Sequence, residues 1–136
     1  FPKDINLYQA QKALDNAKHA VKEGGIIILV ASCEEGLGEE VFERWLIEAK
    51  THDDLIERIK SEFELGGHKA AAIAMVIKKC NLFLVSDLDW EIACKTFMTP
   101  FNNIDDAISQ AMENIKGRPQ IILMPYACST LPVTIL

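Results

Sequence analysis

No two of the four cysteines, Cys33, Cys80, Cys94 and Cys128, lie within four residues of each other, so the sequence carries no CxxC zinc or redox pair. No secretory leader is legible ahead of them, and the expectation is four reduced, mostly buried thiols in a cytoplasmic protein. The three histidines, His19, His52 and His68, are scattered without metal-ligand spacing, so no metal is expected within this chain. Basic clusters are scarce too. Lys78-Lys79 is the only adjacent pair of Lys or Arg, and the net charge is −6. A nucleic-acid binder needs a basic face to neutralise phosphates, so no nucleic-acid partner is expected. The apolar runs at 26–31 and 70–77 fall far short of the roughly 20 residues that span a bilayer, so no membrane partner is expected. Neither GxGxxG, GxxxxGK[ST] nor GxSxG occurs, which leaves dinucleotide, P-loop and serine-hydrolase readings without support. Repeats, low-complexity tracts and interdomain linkers are also missing.

What remains is an ordinary globular composition: 136 residues, 49% hydrophobic and 25% charged. A chain of this length forms one domain and buries about 68% of its unfolded surface. Helical and strand patterns alternate along it. A helix opens at Asp4 and runs to Lys22, with Leu7, Ala10, Ala13, Leu14, Ala17, Ala20 and Val21 in one apolar stripe. Gly24-Gly25 stops it, and the β-branched run 26–31 suits a strand buried on both faces. Further helices are expected over 39–49, from Asp53 or Asp54 through Phe63, over 68–79, and over 104–115. Residues 90–96 suit one helical turn, and 97–101 a short extended piece. The second and third clear strands are 81–86 and 120–124. Strands separated by helices imply an α/β fold: a three-layer domain with a mainly parallel central sheet and helices on both faces. Ligands in such sheets sit beyond the carboxyl ends of the strands, here 32–38, 86–89 and 125–129.

Few motifs carry chemistry. At about 100° per residue the first helix centres its apolar stripe near Leu14 and Ala17, and sets Tyr8, Gln9 and Lys12 on a separate sector. A phenol, an amide and an ammonium beside a helix start suit an anionic ligand: Lys12 supplies a point charge, Gln9 a donor and an acceptor, Tyr8 an amphipathic wall. The same three also read as a solvated helix face. Gly36 and Gly38 between a strand and a helix faintly resemble a phosphate cradle, but Glu34, Glu35, Glu39 and Glu40 oppose an anion there, and turn-making glycine is the simpler reading. His68 and Lys69 follow Gly66-Gly67 at a helix start and read as a cap and surface pair.

Several segments in order resemble one family. The opening run from Pro2 to Leu14, with Lys3-Asp4-Ile5-Asn6-Leu7-Tyr8-Gln9 inside it, is similar to a signature segment of the nickel-dependent lactate racemases. Gly24-Gly25-Ile26-Ile27-Ile28, Glu35-Gly36-Leu37-Gly38, Gly67-His68-Lys69-Ala70 and the proline-bounded run from Met124 to Pro132 resemble it in turn. The resemblance implies that residues 1–136 are a single C-terminal domain of a two-domain racemase or epimerase of lactate or another 2-hydroxy acid. It implies a nickel-pincer nucleotide, bound mainly by an N-terminal domain that also carries the catalytic histidines and the tethering lysine. On that reading this fragment holds no catalytic residue and no cofactor of its own, and is inactive alone. Tyr8, Gln9 and Lys12 match the motif residues that face the interdomain cleft and bind substrate or cofactor. The alternative is a non-catalytic α/β module that binds a small acid or nucleotide, or serves assembly.

Overall fold

The computed structural model describes residues 1–133. Three parallel strands, β1 (Ile26–Val30), β2 (Asn81–Val85) and β3 (Thr99–Phe101), form one sheet in the order β1-β2-β3. Ile26 stands opposite Asn81 in the first ladder, and Phe83 opposite Thr99 in the second. Among the described residues six helices accompany the sheet: α1 (Leu7–Ala17), α2 (Glu40–Glu48), α3 (His52–Ser61), α4 (Gly67–Lys79), α5 (Trp90–Lys95) and α6 (Ile104–Asn114). A 3₁₀ turn, Ala127–Ser129, packs on α1.

The strand alternation places two cores. Leu29, Leu82 and Leu84 point to one face and join the large cluster with Leu7, Leu14, Phe42, Trp45 and Ile73. Phe83 points the other way, onto Ala107 and Ala111 of α6, with Ile26, Ile28, Val85 and Phe101 around them. Helices therefore cover both faces, as the expected three layers require, but unequally. No helix among the described residues is long and apolar enough to cross a membrane.

Four expectations are corrected. Residues 120–124 form no strand, and Ile121, Ile122 and Leu123 are exposed. The third strand is instead the extended piece at Thr99–Phe101, where Pro100 sits on an edge that can spare its missing N–H. The run 26–31 is buried on both faces only in part: Ile27 and Leu29 pack on one core and Ile26 and Ile28 on the other, but Val30 is exposed. The first helix starts three residues after Asp4. Asn6, extended at φ −150°, caps it by accepting from the Gln9 backbone N–H at 3.0 Å. The helix also ends earlier, at Ala17, where tighter bonds from His19 to Asn16 and Ala20 to Ala17 take over. Finally, α3 is capped by Thr51 in a reciprocal box with Asp54, rather than by Asp53 or Asp54, and Phe63 lies beyond its end, exposed.

Candidate functional site

The amino end of α1 is built into the loop that leaves β1. The N–H groups of Leu7 and Tyr8 donate to the carbonyls of Gly36 and Leu37 at 3.2 and 3.0 Å. Those of Cys33 and Glu35 donate to Asp4 and Ile5 at 2.7 and 2.9 Å. With the Gln9 N–H taken by Asn6, the first helical N–H groups already have partners, so an anion at this end must be held by side chains. Gly38 explains the glycines here. It stands at φ +101°, and a Cβ on it would meet the Asn6 side chain at 2.6 Å. The glycine loop thus seats the helix rather than cradling phosphate. Cys33, in the same loop, is buried, and burial pushes its thiol up to about 12, aided by the nearby Asp4 and Asp87 carboxylates.

Tyr8, Gln9 and Lys12 occupy one sector of α1, since i and i+4 nearly eclipse on a helix. The Tyr8 ring is half-buried and meets Phe42 edge-on, with ring centroids 5.5 Å apart. Gln9 is half-buried beside it. Lys12 is exposed and forms no ion pair among the described residues.

Lys69, at the start of α4, completes the neighbourhood. Its Nζ donates to the Tyr8 carbonyl at 2.9 Å and lies 3.7 Å from the centroid of the Tyr8 ring. Burial holds its pKa below the ordinary lysine value; Asp15 opposes this, while Lys3 and Lys12 add to it. One ammonium group therefore lies over the phenol ring, and the charges of Lys3 and Lys12 bear on it, in a chain of net charge −6. Sequence reading placed Lys69 in a cap and surface pair, because nothing local links residues 61 positions apart. Its one signal was the Gly67-His68-Lys69-Ala70 segment.

The glycines before Lys69 are there for packing. A Cβ on Gly67 would meet the Trp45 ring at 2.3 Å, and one on Gly66, at φ +99°, would meet the Glu39 carboxylate at 2.0 Å. His68 turns away: its Nδ1 accepts from the Gly66 N–H at 3.1 Å and its ring stacks on Phe63. Two shallow clefts lie on α2 and between α2 and α3, around Arg44 and Ile47 and around Trp45 and Arg58. Neither is lined by Tyr8, Gln9 or Lys12. Among the described residues no group of three His, Cys, Asp or Glu side chains could hold a metal ion. The chemistry this face offers is recognition of an anion by cations, an amide and an aromatic wall.

The lactate racemase C-terminal domain family model matches residues 1–131. The chain is 29% identical over 136 residues to a lactate racemase of Thermoanaerobacterium thermosaccharolyticum, covering 96% of this chain and 32% of that protein. It is 26% identical over 130 residues to a lactate racemase of Lactiplantibacillus plantarum, covering 92% of this chain and 31% of that one. The solved structure of the lactate racemase apoprotein from T. thermosaccharolyticum superposes with a TM-score of 0.79 at 30% identity, over 85% of this chain and 29% of that chain. The chain thus spans about a third of the length of these relatives.

Proposed function

The chain belongs to the lactate racemase C-terminal domain family, and from that premise we propose that it closes the active site of a racemase or epimerase of lactate or another 2-hydroxy acid. Its partner is the N-terminal domain of the same protein. The relatives' greater length supports such a domain. The observation that carries the reading is the Tyr8–Gln9–Lys12 face on α1, whose groups are those a small hydroxy acid calls for.

Lys12 pairs with the substrate carboxylate or with an anionic group of the cofactor. Gln9 offers its amide to the carboxylate or hydroxyl. Tyr8 walls the ligand in and limits water around the charge pair. The hydride-accepting centre implied for this chemistry is a nickel-pincer nucleotide. The cationic side chains here suit its anionic groups, and on this reading the N-terminal domain supplies the nickel ligands. Tight placement matters because misorientation squanders binding already made, and α1, pinned at its start by the β1 loop, is a rigid mount. The same reading keeps the protein in the cytoplasm, where cysteines persist as thiols.

Lys12→Ala in the full-length protein tests the assignment. A charged hydrogen bond contributes about 1.5–3 kcal/mol, so kcat/KM should fall about 10- to 100-fold. Thermal stability should hardly change, since Lys12 is exposed. Wild-type turnover in that variant would remove the role. Nickel content of the purified protein, read beside racemisation of lactate, separates this enzyme from a binding module.

A further inference from the structure

The two ends of α1 are strapped to α4 by lysines. Lys69 Nζ donates to the Tyr8 carbonyl at 2.9 Å, and ten residues on, Lys79 Nζ donates to the Lys18 carbonyl at 2.6 Å. The second contact is the usual one, a cation on the last carbonyls of a helix. The first is not. A carbonyl in the opening turn is normally committed within its helix, and an ammonium there meets the positive end of the dipole. Lys69 is also half-buried; burial disfavours its charge, the charges of Lys3 and Lys12 add to this, and that of Asp15 opposes it. Holding a cation in such a place opposes stability, so the arrangement calls for another reason.

Its geometry supplies one. The Tyr8 ring is gripped from two sides, by Phe42 at 5.5 Å and by the Lys69 ammonium at 3.7 Å. Lys69 is thereby occupied with the Tyr8 ring and carbonyl, whereas Lys12 has no partner among the described residues. We infer that Lys69 is a positioning residue: it locks the Tyr8 ring and the first turn of α1 so that Lys12 meets an incoming carboxylate as the free cation. The inference rests on the proposed role of the Tyr8–Lys12 face and adds to it a residue from another helix.

Three variants of the full-length protein test it. Lys69→Met keeps the aliphatic stem and removes the ammonium. Lys69→Arg restores a cation able to lie over a ring. Lys12→Ala reports on the underlying site. Lys69→Met is expected to speed amide hydrogen exchange in peptides covering the first turn of α1, with α6 peptides unchanged. It should also lower kcat/KM by at least about fivefold, mainly through KM. Lys69→Arg should recover most of both losses. Wild-type exchange in Lys69→Met overturns the inference whatever the activity, because the turn then needs no ammonium to hold it. An activity loss that Lys69→Arg leaves uncorrected overturns it too. Wild-type activity in Lys12→Ala strikes the functional reading instead, and exchange still reports on Lys69.

Discussion

At the scale of single residues, the mount of the candidate site depends on a glycine. Gly38 combines a backbone conformation at φ +101° with an Asn6 side chain where its Cβ would stand. Asn6 is the cap of α1, so a side chain at 38 acts on the helix start directly. Gly38→Ala is expected to destabilise the protein by about 1–3 kcal/mol, from the strained φ and the displaced cap together. Urea unfolding measures it. A loss no larger than that of Gly36→Ala, where nothing lies within 4 Å, would show that the Asn6 contact is immaterial. That Tyr8, Gln9 and Lys12 share the first two turns of one helix was legible in the sequence; that the Tyr8 ring packs partly on the core against Phe42 was not. Gly38 was legible only as punctuation, and Lys69 only as half of a surface pair. What each does depends on a neighbour that is distant along the chain, and spacing says nothing about that.

Among the elements, the junction of α2 with the turn before α4 is held by one carboxylate. Glu64 accepts from the Trp45 indole at 2.7 Å and pairs with Arg44. The Arg44 contact first, then the indole, hold its pKa below the ordinary glutamate value. A lowered folded-state pKa means stability that is present above the unfolded value and lost as pH falls through the folded one. Glu64→Gln is therefore expected to be less stable than wild type at neutral pH, with the gap closing as pH falls below the ordinary glutamate range and through the lowered folded-state value. Parallel curves down to pH 2.5 in chemical unfolding would count against it. The elements themselves were largely legible, since α2, α4, α5, α6, β1 and β2 lie within a residue or so of their periodicity. Caps shifted the starts of α1 and α3, because Asn6 and Thr51 outcompete the acidic residues nearby. The failure at 120–124 has a different cause. A short apolar run bounded by proline reads as a strand, but strandedness is decided by a hydrogen-bonding edge, which composition does not contain.

For the whole molecule, the unequal layers bear on what this lobe can do alone. One side of the sheet carries the large core, whereas the other is covered by α6, whose Ile104, Ile108 and Met112 remain exposed along with Ile121, Ile122 and Leu123. The core is sufficient for cooperative folding in a chain of this size. The site is another matter. Racemising a 2-hydroxy acid removes hydrogen from one side of Cα and returns it to the other, so groups must address both sides of the carbon. Tyr8, Gln9 and Lys12 all come from the first two turns of one helix, with Tyr8 packed partly on the core, so they supply groups from one element only. The isolated 136-residue chain is accordingly expected to unfold in a single transition and to leave L-lactate unchanged in chiral chromatography. If the proposed two-domain reading holds, adding the rest of the full-length protein, loaded with its cofactor, restores turnover. Racemisation by the lone chain, persisting when Lys12 is replaced by Ala, would mean that the reacting groups lie elsewhere in these residues.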